Sequence, residues 1–237
     1  MNFEYMLEIL PRFFSVIPVT ALIIAVSFIA GLLLSVGVTI IRVKKIPVFN
    51  RLMDIYLSFT RSAPILLQLF IFYFGIPVLL QAFGIAVTNV EPIVAAIACL
   101  VFYNGAFMSE ILRPAYLAID KGQFEAADSL GYTGWQKFSR ITMPQLIPIA
   151  LPGMTNAMIH LIHDSSLIFA IGVVDIMGLA NIIGSETYGL YQVEVFLTVA
   201  VIYWVISLIF EQLVKLFDKR RRKVLKFEGY TSSEGAG

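Results

Sequence analysis

Charged residues and cysteine are scarce in this sequence of 237 residues. Asp, Glu, Lys and Arg make up 14% of it, one residue is cysteine, and 59% is hydrophobic. Soluble domains carry about 25% charged residues, so the composition excludes a soluble globular protein. The lone Cys99 excludes an intrachain disulfide framework and a cysteine-cluster metal site. A net charge of +1 excludes a free-standing nucleic-acid-binding protein.

Motifs for nucleotide and hydrolytic chemistry are also absent. No glycine precedes a lysine, which excludes a P-loop, because that motif needs the lysine beside the glycine amides that hold the phosphates. The hydrolase patterns Gly-x-Ser-x-Gly and His-Glu-x-x-His do not occur either. We therefore expect a chain that is not an enzyme, carries no cofactor or metal of its own, and depends on a partner chain for any nucleotide chemistry.

The sequence contains two long runs without charged residues. Residues 13–41 and 62–90 contain no Asp, Glu, Lys or Arg, and both exceed the ~20 residues that a helix needs to cross a bilayer. The apolar pattern predicts five spans, near residues 18–41, 62–80, 92–112, 148–171 and 191–213. The expected fold is an all-α integral membrane protein with a single domain, 1–237, and a membrane core at 13–216. The first run is too long for a signal-peptide core, so we expect it to be retained.

The distribution of cations predicts the orientation in the membrane. Fifteen of the 17 lysine and arginine residues lie in segments 42–51, 113–140 and 215–226, which follow the first, third and fifth spans. Cations in short loops accumulate on the cytoplasmic side, so we expect the N-terminus outside and a basic tail, 217–237, in the cytoplasm. A label at Ser185 should then react from outside and one at Ser233 only from inside. Six spans, obtained by splitting 141–183, would place the basic tail outside and are disfavoured.

The cytoplasmic segment 113–144 is too long for a simple connection and has the pattern of two short helices. Asp120 with Gln123, and Thr133 with Gln136, have the spacing of helix-capping pairs. Gly131 lies where a left-handed residue would end the first helix. We expect a helical hairpin on the cytoplasmic face between spans three and four.

Three segments of the sequence resemble one family. The run Glu125-Ala126-Ala127 followed by Gly131 resembles the signature of permease subunits of ABC importers. Segments 110–152 and 163–178 are similar to permeases for polar amino acids of the histidine and glutamine uptake type, and residues 172–178 resemble cystine-type members. Arg61-Ser62-Ala63-Pro64 with Gln68 resembles the family pattern Arg-x-x-Pro-x-x-x-Gln. The resemblance covers most of the chain, in the family's order.

The resemblance implies a multi-pass permease of the cytoplasmic membrane that imports a polar amino acid by alternating access. Its partners would be a second permease, as homo- or heterodimer, two ATP-binding subunits that hold ATP and Mg²⁺, an external substrate-binding protein, and membrane lipid, but no nucleic acid. Residues Glu125, Ala126, Ala127 and Gly131 would then couple the permease to the ATPase. Without the resemblance, we would expect this helix to lie on its own protein. A proton-coupled secondary carrier is the alternative function.

Polar side chains within the spans are the candidate substrate-pathway residues, since charge inside a membrane is costly and usually faces a cavity or a partner. In span four, Asp164 would bind an ammonium group, while the adjacent His163, Ser165 and Ser166 would offer donors to a substrate carboxylate. The alternative for Asp164 is an ion pair with His160, one turn earlier. Zinc is not expected there, because only three ligands lie close together.

Two further pairs of residues are candidates for roles in the pathway. Gln68 and Asn104 would line the route from spans two and three, or else form hydrogen bonds with neighbouring helices. Arg61 and Glu110 fall on the same side of the membrane, so an ion pair between them would close an inner gate. The alternative is that both side chains extend separately into the interface.

Overall fold

The structure is a computed structural model that describes residues 2–85 and 90–227, with side chains described through Lys219. The part of the basic tail beyond residue 227, including Ser233, lies outside the described residues. The described chain forms nine helices. They are α1 (Phe3–Phe14), α2 (Ile17–Lys44), α3 (Pro47–Ser62), α4 (Ile65–Ala82), α5 (Pro92–Leu117), α6 (Lys121–Ser129), α7 (Gly134–Ile171), α8 (Ile176–Glu186) and α9 (Gln192–Phe227).

Five of these helices, α2, α4, α5, α7 and α9, are long and apolar enough to cross a membrane. The prediction of five spans in an all-α membrane protein is therefore confirmed. The helix ends differ from those predicted. Helix α5 continues to Leu117, five residues beyond its predicted end. Helix α9 continues to Phe227, because no proline or glycine follows Leu213 until Gly229.

The second of the two expected short cytoplasmic helices is the first turn of the fourth span. Thr133 and Gln136 form the predicted capping box, but helix α7, which they start, runs without a break to Ile171. Pro144 does not end this helix, because a π-helical turn over Phe138–Thr142 widens the backbone where the proline ring would meet the preceding turn. Helix α6 is therefore the one short helix between spans three and four in the described chain.

Small residues bring α2 and α5 close together. Ser27 and Ser35 on α2 are fully buried, and a Cβ placed on Gly31 between them would lie 3.2 Å from Asn104 Nδ2. On α5, a Cβ on Gly105 would lie 2.8 Å from Leu34 Cδ2. Because lipid chains are as apolar as leucine, membrane helices associate through close packing of this kind rather than through hydrophobic burial.

The contact at Gly105 predicts a loss of stability on substitution. Gly105→Leu should destabilise the protein by about 1–3 kcal/mol through overpacking against Leu34, seen as a lower melting temperature in detergent. Gly37→Leu is the control, because a Cβ at Gly37 meets nothing within 4 Å. Equal melting temperatures for the two variants would contradict the packing argument.

The helix bundle has two distinct ends. At the basic end, side chains of Arg42, Arg61 and Glu110 meet and α6 follows α5. At the opposite end, α1 lies beside the start of α9, where the rings of Tyr5 and Tyr191 stack at 4.1 Å. Helix α2, with 28 residues, separates the two ends by about 42 Å.

A buried carboxylate outside the predicted site joins the turn before α8 to α9. Asp175 is fully buried and caps α8, accepting a hydrogen bond from the backbone N–H of Gly178 at 2.8 Å. The hydroxyl of Tyr203 on α9 donates to its other oxygen at 3.3 Å. Both carboxylate oxygens are thereby bound within the protein, so Asp175 fixes the turn between α7 and α8.

Candidate functional site

A cavity of about 450 Å³ lies between α5 and α7, in the size range of small-molecule sites. Its polar lining consists of Tyr103 and Asn104 from α5 and Asn156, His160 and Asp164 from α7. The remaining lining residues are apolar or glycine: Phe107, Ile111, Gly153, Ala157 and Leu161. The cavity therefore combines an apolar wall with a small number of groups that can form directed hydrogen bonds.

Helical periodicity brings the lining residues to one face of each helix. On α7, the lining positions from Gly153 to Asp164 recur at intervals of three or four residues, which places them in one stripe. Tyr103, Phe107 and Ile111 repeat every four residues on α5. Toward the basic end of the cavity, a Cβ on Gly153 would lie 2.7 Å from Ile111 Cγ2, so the glycine allows the two helices to approach closely.

Asp164 is the one acidic side chain that lines this cavity in the described structure. It is partly buried, and within the described residues no hydrogen bond or ion pair joins it to His160, which lines the same cavity. The two side chains therefore make no direct contact in this structure, although His160 is near enough to interact electrostatically with the Asp164 carboxylate. An unpaired carboxylate within a membrane span is costly, and here it is open to a cationic group in the cavity.

Four of the six candidate pathway residues do not line this cavity, namely Gln68, His163, Ser165 and Ser166, and their place in the pathway stays a prediction. Gln68 is fully buried, and its Nε2 donates to the carbonyls of Thr60 and Ala63, both at 2.9 Å. It therefore ties α3 to α4 across the break at Pro64. His163 Nε2 lies 3.2 Å from Ser207 Oγ on α9.

Ser165 is fully buried, and its hydroxyl donates to the carbonyl of Ile162 at 2.7 Å. Ser166 is not among the residues that line the cavity. Positions 163, 165 and 166 lie next to Asp164 in sequence, but a helix turns by about 100° per residue. Of the six candidates, the structure therefore brings Asn104 and Asp164 together at the cavity.

Tyr103 and Asn156 line the cavity but were not predicted, and His160 was considered only as a partner for Asp164. The available signal was the helical spacing, because residues 153, 156, 157 and 160 share a face with Asp164. Tyr103 lies four residues before Phe107, which is about one helical turn, so the two side chains share a face of α5.

A cluster of charged side chains joins three helices at the basic end. Glu110 on α5 forms ion pairs with Arg42 on α2 and with Arg61 on α3, the latter at 3.0 Å. Arg42 Nε also lies 3.4 Å from an oxygen of Asp54. The predicted contact between Arg61 and Glu110 is present, whereas its role as a gate stays a prediction. In the sequence, Arg42 is one of several cations that indicate the membrane orientation, and nothing in the pattern singles it out as a partner of Glu110.

Helix α6 has the caps that its sequence predicts, with one difference. The side chain of Asp120 accepts from the backbone N–H of Gly122 at 2.6 Å rather than from Gln123. Gly131 has φ +74°, and the N–H of Tyr132 donates to the carbonyl of Ala127 at 3.0 Å. The left-handed stop at Gly131 is therefore present and closes the helix.

The two sides of α6 differ in exposure. Ala127 is buried, and Lys137 Nζ of α7 lies 2.5 Å from an oxygen of Asp128, so one side of the helix is attached to its own protein. Glu125 and Ala126 are exposed. This exposed side is a small surface next to a basic region, open to another chain.

Comparisons with known proteins all indicate the same family. Residues 28–223 match the family described as binding-protein-dependent transport system inner membrane component. The chain is 36% identical to the L-cystine transport system permease protein TcyL of Bacillus subtilis, over 91% of this chain and 90% of that protein. It is 38% identical to the probable amino-acid ABC transporter permease protein PatM of Vibrio harveyi, over 86% of this chain and 88% of that protein.

Solved structures agree with this result. An amino acid ABC transporter crystallised with histidines has a chain that matches with a TM-score of 0.77 and 30% identity, over 93% of this chain and 99% of that one. The MetNI methionine ABC transporter, in an inward-facing conformation, matches with a TM-score of 0.65 at 20% identity, which shows the fold alone. The five spanning helices, their order and these matches together place this chain in the family of inner membrane components of binding-protein-dependent transport systems, with the fold of an ABC transporter permease.

Proposed function

We propose that this chain is the pore-forming permease subunit of an ATP-driven importer of polar amino acids. The observation that carries the proposal is the cavity between α5 and α7, in which one unpaired carboxylate is surrounded by hydrogen-bonding side chains. Relatives named for cystine, nopaline and glutamine transport support the amino acid class. The chain itself is not catalytic in this proposal.

The cavity offers complementary groups for an amino acid. Asp164 binds the ammonium group. A carboxylate binds it more strongly than a neutral side chain would, because a charge-assisted hydrogen bond is about twice as strong as a neutral one. The amides of Asn104 and Asn156 and the hydroxyl of Tyr103 donate to the substrate carboxylate. A volume of about 450 Å³ admits a polar amino acid with its side chain.

Import by alternating access requires partners. One bundle of five spans encloses little space, so the pathway forms between this chain and a second permease. Two ATP-binding subunits, with ATP and Mg²⁺, dock against the exposed side of α6, where Glu125 and Ala126 meet them. An external binding protein delivers the substrate to the opposite end. The chain lies in the cytoplasmic membrane with its N-terminus outside and the end of α9 in the cytoplasm.

The charged cluster at the basic end fits an inner gate. Arg42 is well buried, with 16% of its side chain exposed, whereas Arg61 is 55% exposed. Opening the gate therefore breaks the contact of Arg61 with Glu110, while Arg42 keeps Glu110 paired. Retaining one partner avoids leaving an uncompensated carboxylate in the membrane interface.

Transport assays distinguish this function from a proton-coupled carrier. The reconstituted complex in vesicles should take up amino acid only with ATP in the lumen, and a protonophore should have no effect. Uptake that needs a proton gradient and not ATP would support the alternative carrier, in which Asp164 and His160 relay protons.

Cysteine labelling tests the orientation. Cys99 is fully buried, so the native chain should react little with a membrane-impermeant maleimide. In intact cells, Ser185→Cys should be labelled and Ser129→Cys on α6 should be labelled only after permeabilisation. Both positions are exposed and serve as controls for each other. Labelling of both from the same side would contradict the alternating topology.

A further inference from the structure

A network of buried polar side chains joins the turn between α7 and α8 to helix α9. Asp175 in this turn accepts from the backbone N–H of Gly178 at 2.8 Å, and its other oxygen accepts from the hydroxyl of Tyr203 at 3.3 Å. The same hydroxyl contacts the side chain of Ser165 on α7. Asp175 and Ser165 are fully buried, and Tyr203 is 8% exposed. We name Ser165, Asp175 and Tyr203 the tyrosine network.

The tyrosine network begins next to the cavity without being part of it. Ser165 directly follows Asp164, which lines the cavity, whereas none of the three network residues lines it in the described structure. Successive side chains on a helix point about 100° apart. The contact of Ser165 with α9 therefore sets the direction in which the Asp164 side chain points.

The backbone of α7 changes where the tyrosine network meets it. The chain is α-helical through Asp164 and tightens to a 3₁₀ helix over Ser165–Ile171, which ends at Gly172 with φ +90°. A 3₁₀ helix has poorer hydrogen-bond geometry than an α-helix, and such a stretch within a longer helix often marks a hinge. Contacts from outside α7 are therefore needed to fix the rotation of this junction.

The turn that carries Asp175 is a rigid support for the tyrosine network. A Cβ on Gly178 would lie 2.5 Å from the carbonyl oxygen of Val173, so the turn has no room for a larger residue there. The backbone N–H of Ile176 donates to Thr20 Oγ1 on α2 at 3.4 Å. Asp175 is thus held by α2 and α8 together, and it presents its second oxygen to α9 from a fixed place.

We propose that Tyr203 and Asp175 are positioning residues for the substrate site, because through Ser165 they hold the junction in α7 so that the Asp164 side chain faces the cavity. The inference rests on the proposed function for what Asp164 binds, whereas the orientation of residue 164 can be measured without substrate. Tyr203→Phe removes the hydroxyl and keeps the ring. The junction then loses its polar contact with α9, and residue 164 turns partly away from the cavity.

Cysteine accessibility measures this orientation in the assembled transporter. In a Cys99→Ala background, Asp164→Cys should react from the aqueous cavity with a small methanethiosulfonate reagent. Adding Tyr203→Phe should slow the reaction about fivefold, the size expected for the loss of one buried neutral hydrogen bond. Asn156→Cys is the matched control, because it lines the same cavity about two turns earlier on α7 and should react equally with and without Tyr203→Phe. Equal rates at position 164 would overturn the proposal.

Variants of Asp175 separate the hydrogen bonds from a general loss of stability. Asp175→Asn should keep the native reaction rate at position 164, since its amide oxygen still accepts from Gly178 and its amide nitrogen donates to the hydroxyl of Tyr203. Asp175→Ala should slow the reaction as Tyr203→Phe does. Tyr188→Phe removes a hydroxyl from a side chain that is 99% exposed and should change nothing. Equal slowing by the asparagine and alanine variants would contradict the proposal.

Substrate affinity connects the tyrosine network to the proposed function. Radiolabelled cystine and glutamine, for which relatives are named, are the probes, and binding is measured on the complex without binding protein. Tyr203→Phe should weaken binding about fivefold and should have no further effect in the Asp164→Asn background. Additive losses would show that Tyr203 does not act through Asp164. If Asp164→Asn alone leaves the affinity unchanged, the proposed role of the carboxylate fails, while the labelling rates still decide whether the network orients residue 164.

Discussion

Asp164→Asn should reduce amino acid uptake by about ten- to a hundredfold while the protein still assembles with its ATP-binding partner. The substitution keeps the shape of the side chain and removes the charge that, in the proposed function, pairs with the substrate ammonium group. A hydrogen bond to a charged group contributes about 1.5–3 kcal/mol, which corresponds to this range. The measurement is the initial rate of uptake into vesicles, beside the rate of ATP hydrolysis without substrate, which should stay unchanged.

Two control variants separate substrate binding from a structural role for Asp164. Asp164→Glu keeps the charge in a cavity of about 450 Å³ and should retain more uptake than Asp164→Asn. His160→Ala removes the neighbour and should not reproduce the loss, because the described structure has no ion pair between the two residues. Normal uptake by a stable Asp164→Asn protein would rule out the role of the carboxylate in binding ammonium.

The membrane spans could be predicted from the sequence because hydropathy and positive charge act on each segment independently of its neighbours. The positions of the helix ends could not be predicted from hydropathy and charge alone. Thr133 and Gln136 correctly indicated a helix start, yet the sequence did not reveal that this helix continues through Pro144. The π-helical turn that absorbs the proline is a backbone adjustment without a distinct sequence pattern.

The candidate site was predicted only in part for a geometric reason. Asp164 and Asn104 could be identified because a single polar side chain within an apolar span is recognisable from the sequence alone. Their neighbours in space are set by the rotation of α7 against α5, which depends on contacts such as that of Gly153 with Ile111. Adjacency in sequence therefore does not reveal that His163 and Ser165 contact α9 and the backbone of α7 rather than line this cavity.

Interactions between distant segments were the least predictable. Arg42 and Glu110 are 68 positions apart, and Arg12 and Glu186 are 174 positions apart. Each pair joins helices whose relative position only the folded bundle defines. The positive-inside rule explains why cations gather at one end, but it does not determine which carboxylate each of them meets.

Gly131→Val should uncouple the transporter, abolishing both uptake and the stimulation of ATP hydrolysis by loaded binding protein. Gly131 has φ +74°, a conformation that costs a residue with a Cβ about 1–2 kcal/mol and that valine tolerates least. A Cβ at this position meets nothing within 4 Å, so the expected defect comes from the backbone and not from a steric clash. The altered turn would move the exposed side of α6, with Glu125 and Ala126, which in the proposed function docks on the ATP-binding subunit.

Gly131→Asn is the matched control, because asparagine is the residue after glycine that best tolerates the left-handed region. It should retain most of the uptake, which would assign the defect of Gly131→Val to the conformation at position 131. Copurification with the ATP-binding subunit reports whether the valine variant still docks, and its melting temperature reports whether the membrane helices remain folded. The spans should be unaffected, since α6 meets them on one side only, through buried Ala127 and the contact of Asp128 with Lys137. Native uptake and native stimulation in Gly131→Val would contradict the assignment of α6 as the coupling helix.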